Sequence, residues 1–155
     1  MANQKVAKVA VYFPGQAIRF WPDVTTLEIQ QGLEAIVKNV HSAFEETVGK
    51  ELAAEALQAD KDGLQQNTQF AQLRGFYTST VFWLAFLKHS FSGEPPAEKL
   101  IEEGLLKVQI AGDSSGAEPA HFAPGPGYID DQIGQVKYGA RAVSCRGQLM
   151  LATIH

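Results

Sequence analysis

The stretch that most constrains this chain is Phe70 to Phe91, FAQLRGFYTSTVFWLAFLKHSF. It carries five of the nine phenylalanines, one of the two tryptophans and an uninterrupted apolar run from Val81 to Leu87. Aromatic side chains bury the most surface per residue, so a segment this rich in them belongs at the centre of the fold. More than twenty residues without a turn dipeptide exceed an ordinary strand, which predicts a helix. Phe70, Leu73, Tyr77, Val81, Leu84 and Phe91 fall close to one helical stripe, and Phe76, Trp83 and Phe86 widen it until nearly every side beyond Val81 is apolar. The competing reading is a strand, because Phe76 to Trp83 is rich in residues that suit a pleated surface. As a helix, the segment has to be covered on several sides.

One domain spanning residues 1–155 is expected, with roughly 68 to 70 percent of the unfolded surface buried. A hydrophobic fraction of 45% against 19% charged residues is that of a globular chain rather than a disordered one. The net charge of −4 comes with scattered basic residues and no basic run longer than two, which argues against a nucleic-acid partner. The run from Val81 to Leu87 falls far short of the roughly 20 residues that span a bilayer, which argues against a membrane partner. The opening residues, MANQKVAKVAVYF, read as a strand rather than a signal peptide. The lone Cys145 has no partner for an internal disulfide and suits a reducing, cytoplasmic compartment.

Along the chain, Ala7, Val9, Val11 and Phe13 alternate with Lys8 and Tyr12 in a strand from Val6 to Phe13. Pro14-Gly15 then predicts a turn into a second strand, Ala17 to Trp21, and so an N-terminal hairpin. Thr25-Thr26-Leu27-Glu28 has the form of a capping box. Leu33, Ile36, Val37, Val40, Phe44 and Val48 make the clearest amphipathic helical stripe in the chain. Gly49 closes that helix, or it runs on through Leu52, Ala53, Ala56 and Leu57. Asp60-Lys61-Asp62-Gly63 reads as a solvated loop, and Asn67 or Thr68 as the cap of the aromatic helix. A short helix from Pro96 to Glu103 ends at Gly104, and a strand follows from Leu105 to Ala111. Residues 112–131 form a long loop rich in glycine and proline. The remaining segments, Ile133 to Cys145 and Gln148 to Ile154, read as two strands joined by a turn at Arg146-Gly147, with Gly139 as a bulge.

These elements predict an α+β fold. A mainly antiparallel sheet of about five strands, from the N-terminal hairpin and the C-terminal strands, carries two long helices and one short helix on it.

Chemistry-bearing residues are sparse. The four histidines are dispersed, and no pair has the three- or four-residue spacing of a helical metal site. No catalytic residue, metal site or cofactor is assigned. His121, Asp130 and Asp131, in the long loop, are the candidate ligand-binding set, because an imidazole and two carboxylates suit an oxygen-rich cation site or acid–base chemistry. Loops of that length are usually functional or mobile. Cys145 beside Arg146 has no histidine neighbour to activate it, and the serines after Asp113 lack the strand-to-helix setting of a nucleophile elbow.

The apolar surplus points elsewhere. Two long apolar helices offer more hydrophobic surface than a two-layer domain covers, and such surplus in a soluble protein commonly ends in a subunit interface. Phe76, Val81, Trp83 and Phe86 are the candidate interface residues. The function expected is that of a non-enzymatic structural or interaction subunit, which self-associates or docks into a larger assembly. A viral or phage assembly component fits that description. The rival is a small metal-assisted enzyme or ligand-binding protein with its site in the 112–131 loop. A third option is an inhibitor acting through its acidic surface. The partner is expected to be the chain itself or another protein.

Overall fold

The computed structural model describes residues 6–14, 33–88, 90, 93–113, 119–120 and 132–154. In order, the elements are β1 (Ala7–Phe13), α1 (Glu34–Val48), α2 (Lys50–Gln58), α3 (Lys61–Gln66), α4 (Thr68–Lys88), α5 (Ala97–Glu102), β2 (Leu106–Gly112) and α6 (Gln132–Ile154). Most described residues are helical, and β1 and β2 pair in parallel as a two-stranded sheet. This overturns the expected antiparallel sheet of about five strands. The second hairpin strand, Ala17 to Trp21, and the capping box at Thr25 to Glu28 lie outside the described residues.

The α1 helix follows its apolar stripe. Leu33, Val37, Val40 and Phe44 are buried, while Lys38, Asn39 and Ser42 between them are exposed. Both readings of Gly49 hold in part. The helix stops there, with the Gly49 amide donating to the Glu45 carbonyl, and α2 restarts at the next residue. At φ 93° and ψ 143°, Gly49 sits close to a backbone region that side chains other than hydrogen scarcely enter, so glycine sets the angle between the two helices. The α2 helix then turns Ala53 and Ala56 inward.

Asp60 to Gly63 is not the expected loop. Asp60 is the N-cap of α3, and its Oδ1 accepts from the Gly63 amide at 2.8 Å. The side chain satisfies an amide that the first helical turn leaves without a backbone partner, which is why aspartate starts a helix here. Asn67 does the same for α4, accepting from the Phe70 amide at 3.2 Å.

The aromatic segment is one helix of 21 residues, α4, and everything else is arranged around it. It touches α1, α2, α3, α5 and α6. Leu73, Phe76, Tyr77, Val81, Trp83, Leu84 and Leu87 are all buried in one cluster with Val37, Val40 and Phe44 of α1 and with Val136, Ala140 and Val143 of α6. The sheet closes another side, where Phe13 meets Trp83 edge-on at 6.3 Å. The all-round apolar half of α4 is therefore covered within the chain. Arg74 supplies a polar tie at its rim, its Nη1 donating to the carbonyl of Ala59 at 2.6 Å, just beyond the last turn of α2.

The two strands alternate as their sequences dictate. Val9, Val11 and Phe13 of β1, and Leu106, Val108 and Ile110 of β2, turn toward the core, while Lys8, Tyr12, Lys107 and Gln109 are exposed. Ala7 pairs with Leu106 and Phe13 with Gly112, in unbroken register. Parallel pairing demands a long crossover, and α1 to α5 provide it. The entry into β2 is fixed by the end of α5. The Leu105 amide donates to the Leu100 carbonyl and the Gly104 amide to that of Ile101, with Gly104 at φ 71°. This is a Schellman motif, whose left-handed residue is normally glycine.

The C-terminal segment is a correction in kind. Instead of strands at Ile133 to Cys145 and Gln148 to Ile154, a single helix of 23 residues, α6, packs on α4 and α1. Val136, Ala140, Val143 and Gly147 recur at steps of four, three and four, and all are buried. That period belongs to a helix face, not a strand. Gly139 is an inward helical position rather than a bulge, and Gly147 is a contact point rather than a turn. A Cβ at Gly147 would lie 2.9 Å from the Cα of Gln69, so α4 and α6 approach there as closely as their backbones allow. Gly147→Val is accordingly expected to lower unfolding stability by about 1–3 kcal/mol, as overpacking does. Urea unfolding of the variant checks this, and unchanged stability would mean that the helices separate more easily than this contact implies.

Candidate interaction surface

The residues nominated from sequence fall into two groups. His121, Asp130 and Asp131 lie outside the described residues. Phe76, Val81 and Trp83 are 3%, 0% and 4% exposed, and what covers them is the chain's own α1, α6 and sheet. Phe86 is half-buried and stacks on Trp83 with ring centroids 5.7 Å apart. These four side chains hold α4 in place and leave little surface for a partner.

Exposed apolar surface gathers instead on α6. Of the six large hydrophobic residues that are exposed among those described, four are on this helix: Ile133, Tyr138, Leu149 and Met150. Tyr138 and Leu149 are the most open, at 68% and 70%. At 3.6 residues per turn, Tyr138, Arg141, Cys145, Leu149 and Ala152 follow one line up the side of α6 opposite Val136, Ala140, Val143 and Gly147. All five are exposed. The line carries one charge, Arg141, and α6 as a whole holds no acidic residue although the chain has net charge −4. Lys137, beside the line, pairs with Glu46 of α1.

The signal for this surface was present in the sequence but required the right period. Read as two strands, Tyr138 and Leu149 belong to different elements; read as one helix, they are eleven positions apart and share a face.

His41 pairs with Glu45 one turn on at 3.2 Å and meets the ring of Tyr77 edge-on at 6.0 Å. On the buried side of α4, Gln72 donates to the sulfur of Met150 at 3.0 Å. Among the described residues, the Nε2 of Gln69 and the Nε1 of Trp83 are buried donors without a partner. Both lie in packed contacts, Gln69 under Gly147 and Trp83 between Phe13 and Phe86. Cys145 is exposed, and no group of three metal-ligating side chains occurs among the described residues. None of the described helices is long and apolar enough to cross a membrane.

Comparison with protein-family models, with curated proteins and with solved structures gave no match.

Proposed function

We propose that this chain is a non-enzymatic interaction subunit, which self-associates or docks into a larger assembly by burying the outer face of α6 against another protein. The observation that carries the reading is the exposed line Tyr138, Arg141, Cys145, Leu149 and Ala152 on α6, in which Tyr138 and Leu149 are the most open large apolar side chains described and Arg141 is the single charge. Apolar side chains grouped on one face gain from being covered, whereas the same residues scattered singly need no explanation. Helix faces of this kind dock by laying a stripe of side chains into a groove or onto another helix. A cytoplasmic setting fits an exposed thiol, which a reducing compartment keeps free.

The test is the native mass of the tagged chain in gently lysed producing cells, with Leu149→Lys beside the wild type. The wild type is expected well above its monomer mass of 16.9 kDa. The variant, whose new charge sits on an already exposed position, is expected to return to the monomer position with its helical content intact. A wild type that elutes as a monomer both in extract and after purification would contradict the reading.

A further inference from the structure

We infer that β1 is a docking edge for an extended, acidic segment of another protein, which adds to the sheet as a third strand. This surface is separate from the outer face of α6, and the inference stands independently of the reading above.

The register decides which backbone groups are already used. At one end of the strand pair the Ala7 amide donates to the Leu105 carbonyl at 2.9 Å, and at the other the Asp113 amide donates to the Phe13 carbonyl at 3.2 Å. In a parallel ladder, residues that bond across the pair alternate with residues that point their N–H and C=O groups the other way. On β1 the outward residues are Lys8, Ala10 and Tyr12, and all three are exposed, Tyr12 at 61%. None of their backbone groups has a hydrogen-bond partner among the described residues. The other edge, on β2, is less open, because its outward groups belong to the buried Leu106 and the half-buried Val108 and Ile110.

A row of unpaired backbone groups is a template for another strand, and chains commonly blunt it with a proline, a bulge or a covering element. The interior of β1 has no proline, and its register with β2 is unbroken. Two strands alone also make a marginal sheet, which a third strand strengthens.

Charge identifies the kind of segment. Lys8 lies directly across from Lys107, on the same exposed face of the sheet. Like charges in that position repel. Neither ammonium has an ion-pair partner among the described residues, although the chain as a whole has net charge −4. An incoming strand with carboxylates beside Lys8 relieves the repulsion, whereas pairing β1 with β1 of a second copy gathers four ammonium groups on one face. In strand addition the backbone hydrogen bonds supply affinity and the side chains supply the choice of partner.

The decisive experiment adds a blocked peptide, equal in length to β1 and alternating glutamate with valine, to the purified full chain and follows amide exchange by NMR. Millimolar peptide is expected to slow exchange at Lys8, Ala10 and Tyr12 at least tenfold. A peptide with lysine in place of glutamate, or with methylated backbone nitrogens, should give no such protection. The double variant Lys8→Glu with Lys107→Glu, at two exposed positions, should reverse the preference, so that the lysine peptide protects the edge and the glutamate peptide does not. Leu149→Lys should bind the glutamate peptide as the wild type does, which keeps this surface distinguishable from the α6 face. Lack of protection at the three amides overturns the inference, as does equal protection by the methylated or the lysine peptide. So does an edge whose amides are already protected in the free chain, because its backbone groups are then occupied before any partner arrives.

Discussion

Phe44→Ala is expected to reduce unfolding stability by about 3–5 kcal/mol, the range for deleting a fully buried aromatic ring. Phe44 is 0% exposed, and its ring lies 5.4 Å from that of Tyr77, tilted by 58°. It is the contact through which α1 grips the aromatic helix. Removing it takes away both the transferred apolar surface and the ring-on-ring contact, and a cavity remains because Val37 and Val40 before it and Val48 after it keep α1 packed on the core. Denaturant unfolding should show a lower midpoint with an unchanged slope, the signature of lost stability in a folded state that is otherwise the same. A loss under 1 kcal/mol would mean that α1 does not pack on α4 as described.

Leu87→Ala is expected to cost about 2–5 kcal/mol, and the loss should be the same at every protein concentration. Leu87 is 0% exposed at the far end of α4, within the segment whose composition suggested a subunit interface. If its cover comes from the same chain, dilution leaves that cover in place. A destabilisation that grew on dilution would mean that a second molecule completes the core there, because only association depends on concentration.

How far the sequence could be read depended on whether a local pattern had one physical interpretation. The stripe from Leu33 to Val48 and the capping role of Asn67 were legible because a helical period and an oxygen acceptor before the first turn each have few alternatives. Length settled α4 as a helix although its central residues favour strands. The alternation in β1 and β2 was legible as well, but not their parallel pairing, which depends on where the intervening helices carry the chain. The Asp60 to Gly63 cluster was misread because the residue types that make turns also start helices.

The C-terminal segment failed for a related reason. Val136, Tyr138, Val143 and the glycines have low intrinsic helix preference, and Arg146-Gly147 has the look of a turn. What holds α6 as a helix is tertiary. Its small inward residues, Ala140 and Gly147, let it lie against α4, and the burial this permits outweighs the weak helix preference of the valines, Tyr138 and the glycines. That misreading also displaced the candidate surface. With α6 split in two, the apolar surplus seemed to belong to α4; with α6 whole, the chain covers α4 itself and the exposed apolar line lies on α6.

The aromatic helix is wrapped by its own chain. Amide hydrogen exchange along α4, followed at a dilution where light scattering finds only monomer, tests it most directly. The amides from Val81 to Leu87 are expected to exchange only through global unfolding and to be among the most protected in the molecule, as core helices are. Fast exchange in that segment on dilution, with protection restored on concentrating the sample, would contradict the claim and return the interface to α4.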